Sequence, residues 1–220
     1  MVPLIFDFGI LCMASEVDIC NFALAHLGDD ATVTSINPPE GSAQAEHCAR
    51  FYPAARGTLL EMHTWGFATR RVSLALMGDG QPEWLYTYAQ PANAVRIISV
   101  IPPDATTGGG SRPQPFSCEV NTAGTDIILT DQVNAMARYI ALVTDTTKFS
   151  PLFVTTLSWH LASMLAGPLI KGEAGAAESR RCSAMAQAYL AEARNSDASQ
   201  RKVAPDAVSA KPSVGWIAGR

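Results

Sequence analysis

Helical periodicity occupies both ends of this chain and strand-like alternation occupies its middle, an order that limits the folds available to it. Two amphipathic segments fill Ser15–Phe67, two more fill the stretch after Ser150, and about 80 residues of alternating pattern separate them. A helix needs a second apolar stripe to cover its own. The fold class read from this order is α+β: a helical bundle built from both ends of the chain, with an inserted antiparallel β-sheet region and an extended carboxy-terminal tail. The expected divisions are 1–14, a disordered extension; 15–66, bundle helices one and two; 67–146, the β-rich insertion; 147–196, helices three and four; and 197–220, the tail.

Local signals set the first pair of helices. Ser15 is placed to cap helix one, Glu16 and Asp18 suit its positive end, and Gly28 is placed to stop it. Val17, Cys20, Leu24 and Leu27 form its expected buried stripe. After the turn Pro38-Pro39-Glu40-Gly41, Ser42 caps helix two, in which Ala45, Cys48, Tyr52, Ala55, Leu59 and Met62 recur on one side. Pro53 removes an internal hydrogen bond and is expected to kink this helix. The apolar run 2–12 contains Asp7 and lacks a basic leader, so residues before Met13 read as an extension, with Met1 and Met13 both open as the start.

In the middle, Trp84, Tyr86 and Tyr88 are expected on one face of a strand, packed on the helices, and Phe116, Cys118 and Val120 on one face of another. Asn121–Thr125 reads as the turn into a strand at Asp126–Thr130. Ala94–Ile101 and Met136–Val143 are further strands, and Pro102–Pro115 is a long loop rich in Pro, Gly and Thr.

Ser150-Pro151 then starts a helix in which His160 is the lone ionisable residue up to Ile170. About 20 such residues could cross a membrane. The interspersed Thr155, Thr156, Ser158, Ser163, Gly167 and Pro168 favour instead a central helix covered on every side. The last helix is expected over about 173–195, with Cys182, Met185 and Tyr189 on its stripe. Beyond it, Val214, Trp216 and Ile217 are the large apolar group of the tail. These three are the candidate interface residues, docking to a neighbouring subunit, to another protein or to their own bundle.

Chemical motifs are sparse. The four histidines, His26, His47, His63 and His160, show no zinc-ligand spacing and read as structural. No Gly-x-Ser-x-Gly elbow occurs, and Gly108-Gly109-Gly110 lacks the Lys and Ser/Thr of a phosphate loop. Asp29-Asp30 reads as a solvated turn. No catalytic, cofactor-binding or metal-binding residue is assigned. Five dispersed cysteines, Cys12, Cys20, Cys48, Cys118 and Cys182, read as buried free thiols of a protein assembled in a reducing cytoplasm. A net charge of −4 argues against a basic nucleic-acid-binding face.

Several segments, taken in order, resemble the head-to-tail adaptor family of tailed phages, called tail tubular protein A in short-tailed phages. They are Ile19-Cys20-Asn21-Phe22-Ala23-Leu24 running to Leu27-Gly28; Cys48-x-x-x-Tyr52-x-x-x-Arg56; and Leu59-Leu60 leading to Trp65-Gly66-Phe67-Ala68. Tyr86-x-Tyr88-x-x-Pro91 with Val95-Arg96, Arg138-Tyr139-Ile140 with Thr144-Asp145, and Phe149-Ser150-Pro151-x-Phe153 with Leu161-Ala162 follow. The resemblance spans residues 15–195 and leaves both termini outside the shared pattern. It implies a structural virion protein without enzymatic activity or cofactor, located in the tail or neck and assembled in the host cytoplasm. The implied partners are the portal, a tail nozzle protein of the tubular B type and tail fibres. The subunits would self-associate as a dodecameric ring, with duplex DNA passing through unbound and no membrane contact. Alternatives are a neck or completion protein of a long-tailed phage, a host-encoded helical binding module, and a small hydrolase or metal enzyme, which would need a convergent acid, base or ligand set.

Overall fold

The computed structural model describes residues 14–79, 81–103 and 113–200. The expected extension before Met13, most of the 102–115 loop and the tail from 201 lie outside them. The described chain is α+β, with helices α1 (Glu16–His26), α2 (Ala43–Met62), α3 (Pro151–Ile170) and α4 (Gly172–Ser199). Between α2 and α3 run β1 (Thr69–Ser73), β2 (Leu76–Asp79), β3 (Tyr86–Ala89), β4 (Ala94–Ile101), β5 (Phe116–Val120), β6 (Asp126–Thr130) and β7 (Met136–Ala141). Two compact units result, one containing residues 14–69 and 140–197 and the other residues 70–139.

In the first unit, α1 and α2 both pack against α3. Ser15 closes a full capping box with Asp18, which holds the Asp18 carboxyl below its usual range, the backbone hydrogen bond from Ser15 being the main cause. The stripe buried on α1 is Ile19, Cys20, Ala23 and Leu24, while Val17 and Leu27 are half-buried. It is turned from the expected one, toward the side on which His26, three residues after Ala23, meets Ser158 and Trp159 of α3. On α2 the expected residues are buried except Met62, which is 44% exposed where the helix ends. Arg56 lies on the same side. Its guanidinium meets Glu16 of α1 at 2.7 Å, pinning the two helices to one another. The helix runs on through Pro53 to Met62.

α3 departs from the sequence expectation. Phe153, Thr156, Leu157, Ser158, Leu161, Ala162, Leu165 and Ala166 are buried, but Ile170 is 39% exposed and Trp159, His160 and Met164 are half-buried. It is covered along one side rather than all round. α1 and α2 pack against α3, and α4 adds contacts through small groups: Ser179 donates its hydroxyl to Ser163 O at 2.7 Å, and Gly175 passes over the Ala166 carbonyl. Among the described residues α3 is the one helix long and apolar enough to cross a membrane, with a mean hydropathy of 1.3. Its packed face is what a core helix requires.

The second unit has its own core. Its strands form a three-stranded sheet in the order β1-β7-β4 and a four-stranded antiparallel sheet in the order β2-β3-β6-β5. In the latter, Tyr88 lies opposite Ile128, which in turn lies opposite Cys118. Leu74, Tyr88, Val100, Ile128, Ala135 and Ala137 make one buried cluster, with Tyr86, Ile97 and Phe116 against it. Tyr86 and Tyr88, a face expected to pack on the helices, therefore pack among the strands of their own unit, because the insertion folds around its own apolar residues. Trp84 precedes β3 instead of belonging to it, and β7 stops at Ala141, two residues short of the expected end. The turn at Asn121–Thr125 forms as read: the Asn121 side chain accepts from the Ala123 and Thr125 amides, and Gly124 takes φ +79°.

Candidate functional site at the helix junction

The chain leaves α2 through His63-Thr64-Trp65-Gly66-Phe67, and the first unit concentrates its specific contacts there. An α-helix ends with carbonyls that lack partners within the helix. The Trp65 indole N–H donates to one of them, Leu59 O, at 2.7 Å, and the Arg194 guanidinium donates to another, Met62 O, at 3.0 Å. Trp65 is 1% exposed. Its ring meets Phe153 edge to face at 5.0 Å, and Phe67 meets both Phe149 and Phe153 at 5.6 and 5.0 Å. Offset and edge-on pairs of this kind add to simple burial.

Asp197 completes the junction from the last turns of α4. One carboxylate oxygen accepts the Gly66 amide at 2.8 Å and the other meets His63 Nε2 at 3.2 Å. Trp65 stands edge-on to the His63 ring at 4.8 Å. A His–Asp pair is the orienting half of a general-base relay. Here the same carboxylate also holds a backbone amide, so its evident role is to fix the chain as it turns away from α2. Reading residues from 197 onward as tail is corrected by this contact. α4 continues to Ser199 because Asp197 has a partner whose position the sequence does not reveal.

The other sequence candidates lie apart. His26 stacks on Trp159 at 3.6 Å with the planes 5° apart, and its Nε2 meets Ser158 Oγ at 3.0 Å. Arg181 lies over the other component of this stack, 5.4 Å from the Trp159 ring centre, donates to His26 O and pairs with Glu178. His47 Nδ1 and His160 Nε2 are buried without hydrogen-bond partners, so these two are not satisfied in the way expected of structural histidines. Among the described residues no group of three or more His, Cys, Asp or Glu is arranged to hold a metal ion. Cys20, Cys48 and Cys182 are buried thiols; Cys118 is exposed, correcting the expectation, because it sits on the outer strand β5. Asp29 accepts the Ala31 amide at 2.9 Å and Gln44 at 3.2 Å, as a turn residue does. With Asp30 it borders an open depression of about 450 Å³ between Leu27 and Ile170. The expected interface residues Val214, Trp216 and Ile217 lie outside the described residues.

Burial lowers the pKa of His26, helped by the charge of Arg181, and burial lowers that of His160. An unfolded chain takes up protons near the ordinary value of 6.5, where the fold resists them. The resulting stability is complete above 6.5 and is lost as pH falls below it. A second loss follows below the ordinary carboxylate values of 3.8 to 4.5, where Asp18, Asp145, Glu40 and Glu178, all held low by hydrogen bonds, become protonated. Urea midpoints are expected to be lower at pH 5.5 than at pH 7.5, with a smaller drop in a His26→Gln, His160→Gln variant. Equal midpoints at the two pH values would refute this assignment.

No protein-family model matches the chain, and no curated protein sequence matches it.

Proposed function

We propose that this chain is a structural virion protein, a head-to-tail adaptor that forms a dodecameric ring between the portal and the tail nozzle of a tailed phage and surrounds the DNA channel. The observation that carries the reading is the chain order. Residues 14–69 and 140–197 make one helical unit, and the β-rich unit is inserted between its halves. That order suits the interrupted helical bundle that the adaptor resemblance implies. Support also comes from where the resembling segments fall. Tyr52, Arg56, Leu60, Trp65 and Phe153 are each no more than 8% exposed, and Arg56, Trp65 and Phe153 hold the helices and their junction together. The reading assigns no catalytic group and no cofactor.

The charge balance suits a channel lining. At a net charge of −4 the chain has little to grip phosphate with, so duplex DNA slides past without specific binding. Head-to-tail contacts between copies close into such a ring. When the purified chain is mixed with portal rings, it is expected to join them as a ring of matching symmetry, seen by native mass spectrometry or cryo-EM. A chain that stays monomeric beside intact portal rings sinks the proposal, as does a virion copy number that fits no ring.

A further inference from the structure

Among the described residues β2 is an outer strand of the four-stranded sheet, with β3 on one side and no strand on the other. Outer strands carry unpaired backbone N–H and C=O groups, and proteins ordinarily blunt them with charge. β2 is short and ends in Asp79, yet its first two residues are large, apolar and open to solvent. Leu76 is 60% exposed and Met77 49% exposed, and the register shift between Leu76 and Gly78 leaves only a short stretch open to pairing. A surface of this kind accepts a short extended peptide whose alternate side chains are apolar.

This chain carries such a peptide beyond the described residues. In Pro212-Ser213-Val214-Gly215-Trp216-Ile217, proline favours an extended start, and Val214 and Trp216 fall on one face of a strand. Chain length supports its reach. Asp197 is hydrogen-bonded to Gly66, and from Gly66 to Leu76 the chain can span at most about 36 Å. From Gln200 to Val214 it can span about 50 Å. The segment can thus reach β2 of its own chain, and so short a tether gives an effective concentration on the order of millimolar.

We propose that residues 213–217 add to the free edge of β2 in the same chain as a further strand, with Trp216 covering Leu76 and Met77. Backbone hydrogen bonds supply the pairing, and the tryptophan supplies the apolar burial.

Hydrogen exchange of the full-length chain tests this. The backbone amides of Leu76–Asp79 are expected to exchange at least ten-fold faster in a Val214→Ser, Trp216→Ala variant than in the unaltered chain. Conversely, Met77→Glu is expected to speed chymotryptic cleavage after Trp216 at least ten-fold, and combining the changes should add nothing further to the β2 exchange rate. Protection of β2 should not depend on protein concentration. Equal exchange in the tail variant overturns the proposal. So does protection that vanishes on dilution, because the occupant would then be a second copy.

Discussion

Replacing Trp65 with alanine is expected to destabilise the helical unit by about 3–5 kcal/mol, the usual range for emptying a buried aromatic site. Three losses combine. The ring is 1% exposed, so its apolar surface is forfeited and a cavity opens between α2 and α3. The edge-to-face contact with Phe153 disappears. The Leu59 carbonyl also loses the indole N–H, its side-chain partner at 2.7 Å. Neighbouring Phe67 and Phe149 are already engaged with Phe153, which restricts how far the site can collapse. Trp65→Phe should recover part of the loss, since it restores ring packing but not the donor. Urea titration followed by far-UV circular dichroism would measure both. An alanine variant within about 1 kcal/mol of the unaltered protein would show that the junction does not hold the unit together.

Gly175→Val is expected to cost about 3 kcal/mol, the upper part of the range for overpacking a tight contact. A Cβ at this position would stand 3.0 Å from the Ala166 carbonyl oxygen and 3.5 Å from the backbone and side chain of Ile170. The nearest atom is backbone, so no side chain can rotate away. Relief requires α4 to move off α3, which would also stretch the 2.7 Å hydrogen bond from Ser179 to Ser163 O. The helix preference of valine over glycine offsets only a few tenths of a kcal/mol. Thermal unfolding of the variant should show a clearly lowered midpoint. If the midpoint is unchanged, the two helices do not approach as closely as these distances require.

How legible each part was depended on whether its cause was local. Ser15, Ser42 and Ser150 cap α1, α2 and α3 as read, because a cap is a contact within three residues. The hairpin turn at Asn121–Thr125 was legible for the same reason. The junction clamp was not. Asp197 sits 131 residues from Gly66, among small polar neighbours that look like the start of a tail, and only the folded chain brings the two together. β1 and β2 were missed as separate strands because Arg70, Arg71 and Gly78 break the apolar alternation that marks a half-buried strand. The exposure of Cys118 and the open side of α3 likewise depend on which elements end up next to them.

The two crossings between the units have a consequence for how this sequence can vary. The chain leaves the helical unit in β1 and returns in β7, and just before β1 the Ala68 carbonyl accepts the Ala141 amide at 2.9 Å. The insertion thus starts and finishes at neighbouring points, like a drawer hung on paired runners. Strands and loops between those points can be lengthened, shortened or exchanged without altering the spacing that α2 and α3 must keep. Surface variety can accumulate there while the helical unit stays constant.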